Sequence, residues 1–161
     1  MTMPAYLKVT GASQGNIEGS CDIQNHEKTM LINGMTHSIA IPKSPQTGLP
    51  TGKRVHGALT VLKNYDKASP KLFQALCSGE QLTSVKLEYF WISKEGKEEL
   101  YYTTELKNAI VVSIDYQKRD AVAANSGPHA DEESISFTYE TIIQTWVKDG
   151  IEAQDSWTGS N

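Results

Sequence analysis

A chain of 161 residues with 39% hydrophobic side chains has enough apolar material for one packed domain and is not disordered by composition. Its 15 basic and 19 acidic side chains give a formal net charge of −4, which excludes the basic surface that nucleic-acid binding requires. No apolar run reaches the roughly 18 residues of a membrane span. The first residues also lack the basic and apolar segments of a cleavable signal peptide.

The first half of the chain alternates apolar and polar residues over short segments, which is the period that a β-strand imposes. An Asn33-Gly34 pair stands between two apolar runs. Because both residues tolerate a positive φ, we predict a hairpin turn there. The strands predicted in this half are 5–10, 17–24, 30–32, 36–41 and 56–63.

A stretch rich in proline and glycine, over residues 42–57, separates the last two of these strands. It holds three prolines and three glycines in sixteen residues and shows neither a strand nor a helix period. Loops of this length in compact domains are usually functional or disordered. Because proline limits the conformational entropy that is lost on docking, we predict a long extended loop that docks on another surface.

One short helix is predicted over residues 69–78. Ser69 is placed to cap the free backbone N–H groups, and Pro70 follows at the first helical position, where its missing N–H costs nothing. Gly79 supplies the left-handed residue that ends a helix. So short a helix is unstable alone in water, so its apolar face must pack against a sheet. The predicted apolar face consists of Leu72, Phe73, Leu76 and Cys77. We interpret Cys77 as a small core residue and not as half of a disulfide.

After the helix, four longer segments show the strand period. The first two flank the turn over 94–97 and therefore predict a hairpin. A segment over 117–133 has no period and is interpreted as a mobile surface loop. A polar tail over 148–161 is interpreted as flexible, with Trp157 as a candidate anchor on a neighbouring molecule. The four predicted strands are 82–93, 98–105, 108–116 and 134–147.

These elements predict a mainly β fold. It is an antiparallel β-barrel or a two-sheet sandwich, with one short flanking α-helix over 69–78 and a long extended loop over 42–57. Some strands carry apolar residues on both faces, as Phe90 and Ile92 do opposite the face of Val85. A solitary barrel buries one face of each strand and exposes the other. We therefore expect a second buried surface, against the helix or against another subunit.

The sequence offers no recognisable catalytic or metal-binding motif. Its four histidines form no His-x-x-x-His spacing, and neither a Gly-x-Ser-x-Gly elbow nor a phosphate-binding glycine loop occurs. The acidic run over 131–133 is interpreted as solvent-exposed, and Lys63, Lys86 and Glu88 as charges on strand surfaces. We therefore predict a protein that is not an enzyme and has no catalytic residue, no cofactor and no metal ion.

Several short motifs occur in order along almost the whole chain. Taken together, they resemble the haemolysin-coregulated protein (Hcp) family, the tail-tube subunits of bacterial type VI secretion systems. No single motif is specific, and the ordered set carries the resemblance. The motifs are Ser13-Gln14-Gly15-Asn16-Ile17, the Pro42 to Gly48 loop, Gly-x-Arg-Val-His at 52–56, the Pro-x-Leu-x-x-Ala-Leu-x-x-Gly-Glu run at 70–80, Glu95-Gly96-Lys97 and the strand at 136–146.

The resemblance implies a single Hcp-like β-barrel domain over residues 1–161. Six copies would close into a ring, and rings would stack into a tube that a contractile sheath drives out of the cell behind a spike protein. The lumen would carry effector proteins. The chain would reside in the bacterial cytoplasm and then be secreted to the extracellular space or a target cell without a cleavable signal peptide. It would span no membrane and bind no nucleic acid.

The long loop is the candidate arm that reaches a neighbouring subunit or ring in such an assembly. A monomeric small-ligand binding β-barrel is the main alternative, and a secreted enzyme with an unrecognised site is a third. The oligomeric state separates the first two interpretations, since a ligand-binding barrel works as a monomer. The predicted subunit-contact residues are Ser44, Pro45, Gln46, Thr47, Gly48, Leu49, Pro50, Arg54 and His56.

Overall fold

The computed structural model describes residues 3–118, 120–122 and 131–157. These residues form a mainly β structure with one helix, α1 (Ser69–Ser78), which confirms the predicted fold class. The strands are β1 (Ala5–Gly11), β2 (Gly15–Ile17), β3 (Met30–Thr36), β4 (Ile39–Ala40), β5 (Val55–His56), β6 (Leu59–Asn64), β7 (Leu82–Ile92), β8 (Glu98–Gln117), β9 (Glu132–Thr138), β10 (Thr141–Trp146) and β11 (Ile151–Ser156).

Six antiparallel strands close into a barrel in the order β8-β7-β1-β3-β6-β9, because β9 pairs with β8 as well as with β6. The short β2 pairs with β1, while β10 and β11 continue from β8 outside the barrel. Closure removes the open edges that a sandwich would leave on these six strands. The structure therefore decides between the two predicted architectures in favour of the barrel.

Side chains fill the barrel, because inward-facing positions alternate along each strand. In β6, Leu59 and Val61 are buried, and the residues that follow each of them are less so. Helix α1 packs against β8 and adds Leu72 and Ala75 to the same core. The buried apolar residues are Ala5, Leu7, Val9, Ile17, Met30, Ile32, Leu59, Val61, Ala68, Leu72, Ala75, Leu82, Val85, Leu87, Leu106, Ala109, Val111, Ile135, Phe137, Tyr139 and Ile142.

The strand β8 is one strand of 20 residues, where the sequence predicts two, 98–105 and 108–116. Asn108 lies within it at φ 52°, a backbone conformation that non-glycine residues rarely adopt. Before Asn108 the strand pairs with β10, and after it with β9. The single strand predicted over 134–147 is correspondingly two, β9 and β10. A one-strand prediction fails here because the chain turns at residues 139–140 without a glycine or proline to mark the turn.

The predicted Asn33-Gly34 hairpin is wrong, because both residues lie inside β3. The strand pairs with β1 up to Ile32 and with β6 from Ile32 onwards, and the β3–β6 register shifts between Ile32 and Gly34. A β-bulge therefore occupies the place of the predicted turn. The strand predicted over 17–24 is also wrong, since β2 ends at Ile17.

The helix bounds are confirmed, and so is Gly79 as the left-handed end residue, at φ 69°. Two details of the prediction are wrong. Ser69 does not cap the helix, because Ala68 occupies the N-cap position. Phe73 is 52% exposed and Cys77 is also exposed. The buried face instead runs through residues 68, 72 and 75, which are spaced by three or four residues and so lie on one side of the helix.

A cluster of buried ionic groups lies beside the start of α1. Lys63 and Glu133 are 0% and 1% exposed and are directly opposite each other in the β6–β9 ladder. The Lys63 Nζ atom is 2.7 Å from Glu133 Oε1 and 2.8 Å from Asp66 Oδ1. Ser69 Oγ donates a hydrogen bond of 2.7 Å to Glu133 Oε1. We refer to Lys63, Asp66, Ser69 and Glu133 as the buried ion cluster.

This cluster corrects the prediction that Lys63 and the acidic run over 131–133 are solvent-exposed. Lys63 continues the inward face of Leu59 and Val61, so the alternation of its own strand places it inside the protein. The same correction applies to Glu88, which is 8% exposed and lies 2.7 Å from the Lys8 Nζ atom. The face on which Lys63 falls therefore predicts its burial, whereas Glu88 lies on the face opposite Val85 and Leu87 and is covered through its contact with Lys8.

Part of the predicted flexible tail over 148–161 is ordered, because residues 151–156 form β11. Residues 158–161 of that predicted tail lie outside the described residues. The strand β11 pairs with β10 along all six of its residues, from Ile151 opposite Trp146 to Ser156 opposite Thr141. Backbone pairing to an existing strand edge needs no strong apolar pattern, so the polar composition is misleading here. Of the mobile loop predicted over 117–133, residues 119 and 123–130 lie outside the described residues.

Candidate assembly arm and its base

The predicted extended loop is a narrow two-stranded ribbon, which we call the arm and define as residues 38–57. The strands β4 and β5 pair at its base, and an isolated bridge joins Lys43 to Pro50 further out. The ribbon turns back over residues 44–50, which we call the arm tip. There the backbone N–H of Ser44 donates to Leu49 O at 2.9 Å, and Gly48 adopts φ 74°. The arm therefore has a defined shape of its own.

The arm exposes most of its surface, including large apolar side chains. Ile41, Leu49 and Val55 are 54%, 65% and 48% exposed. Several large apolar side chains exposed on one projecting ribbon favour contact with another surface. The seven predicted contact residues of the arm tip, Ser44 to Pro50, all lie on this exposed ribbon, and their role as subunit contacts stays a prediction.

Arg54 and His56, the other two predicted contact residues, lie at the base of the arm and have partners within the chain. Arg54 holds the carboxylate of Asp155 on β11 with two nitrogens: its Nε lies 2.7 Å from Oδ2 and its Nη2 lies 2.9 Å from Oδ1. The same Nη2 donates to Ser156 O at 2.9 Å. Paired contacts between a guanidinium and a carboxylate fix direction as well as distance. The guanidinium and then His56 hold the pKa of Asp155 at about 2, below its usual 3.8.

His56 is buried, and its ring joins two elements of the body to the arm. Its Nε2 lies 2.7 Å from Asp155 Oδ2, and its Nδ1 lies 2.6 Å from the hydroxyl of Tyr139. The hydroxyl of Tyr139 is also 2.9 Å from His37 Nε2. Burial, and then the charge of Asp155, raises the pKa of Tyr139 to about 12, so its hydroxyl stays protonated. We refer to His37, Arg54, His56, Tyr139 and Asp155 as the base cluster.

The structure thus divides the predicted contact residues into an exposed tip and an engaged base. It also adds three members of the base cluster, His37, Tyr139 and Asp155, that the sequence patterns do not reveal. Arg54 and His56 are separated from Asp155 by about 100 positions in the chain. No local spacing or motif indicates a contact between residues so far apart in the chain. Because the tail is predicted to be flexible, the sequence also gives no reason to expect a partner on β11.

The similarity to known proteins lies in the sequence as well as in the fold. A family model described as "Type VI secretion system effector, Hcp" matches residues 6–146. The Major exported protein of Pseudomonas aeruginosa is 37% identical over 166 residues, which cover 98% of this chain and 96% of that protein. The chain belongs to the Hcp family. It is therefore a type VI secretion tube protein, a structural protein and not an enzyme.

Solved Hcp structures share the fold of this Hcp chain. The structure described as "Crystal structure of Hcp protein" matches with a TM-score of 0.89 at 25% identity, over 98% of this chain and 99% of that one. Hcp1 from the Escherichia coli EAEC 042 pathovar matches at 0.86 and 30% identity, over 96% and 99% of the two chains. The secreted protein Hcp3 from Pseudomonas aeruginosa matches at 0.80 and 32%, over 97% and 99%.

The described residues contain neither a cluster suited to a metal ion nor a helix that could span a membrane. Within residues 3–118, 120–122 and 131–157, no group of three or more His, Cys, Asp or Glu side chains is arranged to hold a metal ion. Helix α1, with ten residues, is too short to cross a bilayer, and no other described segment forms a spanning helix. The base cluster is a network of ion pairs and hydrogen bonds that joins His37, Arg54 and His56 to Tyr139 and Asp155.

Proposed function

We propose that this Hcp chain closes into hexameric rings, that the rings stack into a tube, and that the arm tip forms part of the contact between copies. A head-to-tail interface joins two different patches of the same protein and closes into a ring when the rotation between copies allows it. The arm supplies one such patch. Its exposed Ile41 and Leu49 are the observation that carries the proposal, because burial of apolar surface drives association.

The proposed synthesis and export of the protein are based on its membership of the Hcp family. The chain is made in the bacterial cytoplasm, leaves without a cleavable signal peptide and reaches the extracellular space or a target cell with a spike protein at the tip of the tube and effector proteins in its lumen. A contractile sheath provides the force. The name of the relative at 37% identity, Major exported protein, supports the export step. Loss of N-terminal residues from protein recovered in the culture medium would contradict the proposed route.

The monomeric ligand-binding barrel gains no support from the described residues. The interior of the six-stranded barrel is packed with apolar side chains from its strands and from α1. Barrels of this size are filled by their own side chains, whereas ligand-binding barrels need a larger interior.

The arm tip can be removed without disturbing the base. Replacing Ser44–Pro50 by Asn-Gly leaves the paired residues of β4 and β5 unchanged and joins the two shortened legs of the arm by a two-residue turn sequence. We expect the full chain to form rings by negative-stain electron microscopy with light scattering, and the shortened chain to be a folded monomer. Circular dichroism checks folding in both. Full rings from the shortened chain would contradict the role of the tip.

A pair of point variants refines the same test. Leu49→Ser removes an exposed aliphatic side chain from the arm tip, and Ile23→Ser removes one that is 41% exposed in the loop before β3. Both should leave stability within about 0.5 kcal/mol of the wild type, since neither side chain is buried. Only Leu49→Ser should weaken ring formation. Equal effects of the two variants on assembly would show that the arm has no special part in it.

A further inference from the structure

We infer that Asp155 on β11 is the positioning residue of the arm: it holds Arg54 and His56 and so sets the direction in which the arm projects. This inference rests on the proposed function, because a fixed direction matters only if the arm contacts another copy. It also changes the roles of Arg54 and His56. They act within the chain, on the arm's orientation, and the contact itself is left to the arm tip.

The first support is that backbone pairing does not fix the arm to the barrel. The strands β4 and β5 form a separate two-stranded sheet, with two residues in each strand, and they pair with each other. The ladder of the nine-stranded sheet does not include them. The arm continues into the barrel through residues 37 and 58. Apart from these two chain connections, side chains at the base are therefore what can hold the arm at one angle to the body.

The second support is the position of the polar contacts. His37 is the residue just before the arm, and His56 lies on the returning strand β5, so one hydroxyl, that of Tyr139, contacts the chain at both ends of the arm. Tyr139 itself is buried at the corner between β9 and β10. The ring of Trp157 lies 5.5 Å from that of His56, which adds an apolar contact from the residue after β11. The two legs are thus attached to the body at one place.

The third support is the geometry at Asp155. Its Oδ2 accepts from Arg54 at 2.7 Å and contacts His56 Nε2 at 2.7 Å, while its Oδ1 accepts from Arg54 at 2.9 Å. One carboxylate therefore engages two residues of the arm in fixed directions. Asp155 belongs to β11, which pairs with β10 outside the barrel, so the contact connects the arm to the outer β10–β11 hairpin.

The test compares Asp155→Asn with Glu152→Gln. Both change one carboxylate of β11 to an amide, and Glu152 is exposed. Hydrogen exchange followed by mass spectrometry reads the arm and the barrel separately in each purified full chain. We expect Asp155→Asn to speed exchange over residues 39–53 by about tenfold or more, because a charge-assisted contact to both Arg54 and His56 is weakened. Exchange in the barrel strands should not change, and Glu152→Gln should behave as the wild type.

Assembly is the second measurement. Asp155→Asn should raise the protein concentration needed for ring formation or stacking, measured by light scattering. A charge-swapped double variant, Arg54→Asp with Asp155→Arg, should recover part of the protection of the arm from hydrogen exchange and part of the assembly. Neither single substitution should do so. Unchanged arm exchange in Asp155→Asn would overturn the inference, as would a general loss of protection across the barrel. Failure of the wild-type chain to assemble at all would count against the proposed function, while the exchange experiment would still decide the role of Asp155.

Discussion

The buried ion cluster and the base cluster both contain ion pairs, but they differ in burial and in the elements that they join. In the buried ion cluster, Lys63 and Glu133 are 0% and 1% exposed and join β6, β9 and the start of α1. In the base cluster, the side chain of Asp155 is 40% exposed, and it joins the arm to the strand at the end of the chain. Breaking a buried pair leaves a charge without solvent, whereas partly exposed pairs contribute little to stability. Breaking the first cluster should therefore cost much stability, whereas breaking the second should cost little stability and act on the direction of the projecting arm.

Among substitutions in the two clusters, we expect the largest loss of stability at Lys63. Lys63→Met leaves Glu133 buried without its cation, and Glu133 Oε2 already lacks a hydrogen-bond partner among the described residues. The free energy of unfolding should fall by about 3–5 kcal/mol, measured by denaturant titration. Lys67→Met is the matched control, because the Lys67 side chain is 54% exposed, and its effect should stay within about 0.5 kcal/mol.

A double variant sharpens this result. Lys63→Met combined with Glu133→Leu removes both charges and should recover much of the lost stability, because an apolar pair of similar volume often replaces a buried ion pair at little cost. If the double variant were as unstable as Lys63→Met, the cost would come from packing and the ionic explanation would fail.

A smaller effect is expected at Ser69, whose hydroxyl donates to Glu133 and accepts from the backbone N–H of Asp66 at 3.0 Å. Ser69→Ala removes both of these contacts and also the 3.3 Å hydrogen bond from Lys63 Nζ to the Ser69 hydroxyl. The free energy of unfolding should fall by about 1–3 kcal/mol, as for other buried polar groups that lose a partner. Ser78→Ala, at the exposed end of the same helix, controls for the serine-to-alanine change. An equal loss in the two variants would mean that the cluster does not depend on Ser69.

The smallest expected effect concerns pH and the base cluster. Burial, and then the charge of His56, lowers the pKa of His37 from its ordinary value of 6.5. The unfolded chain then binds a proton at a pH where the folded chain does not, so the free energy of unfolding falls as pH drops below 6.5. His37→Gln removes this contribution, and its melting temperature should fall less than that of the wild type between about pH 7.5 and about pH 5.5. An equal fall in the two proteins would contradict the assignment.

Local patterns are sufficient for much of the fold. The helix follows from Pro70 near its start and Gly79 after its end, and the alternation along β6 and β7 identifies both strands. The same patterns fail where the tertiary structure overrides a local signal. Asn33-Gly34 is a bulge because β3 must pair with β1 and then with β6, and Asn108 continues β8. The order of the short motifs along the chain is enough to indicate the Hcp family, which the family model and the relative at 37% identity confirm.

The sequence by itself determined the mainly β class, the short helix, the projecting loop over 42–57 and the family, because each depends on residues close together in the chain or on their order. The tertiary structure alone decided which charges are buried and what holds the arm. Glu133 lies 64 positions from Ser69, and Asp155 lies 101 from Arg54. Such contacts depend on how the barrel closes and on where β11 pairs. Nothing in the neighbourhood of either residue along the chain encodes the other.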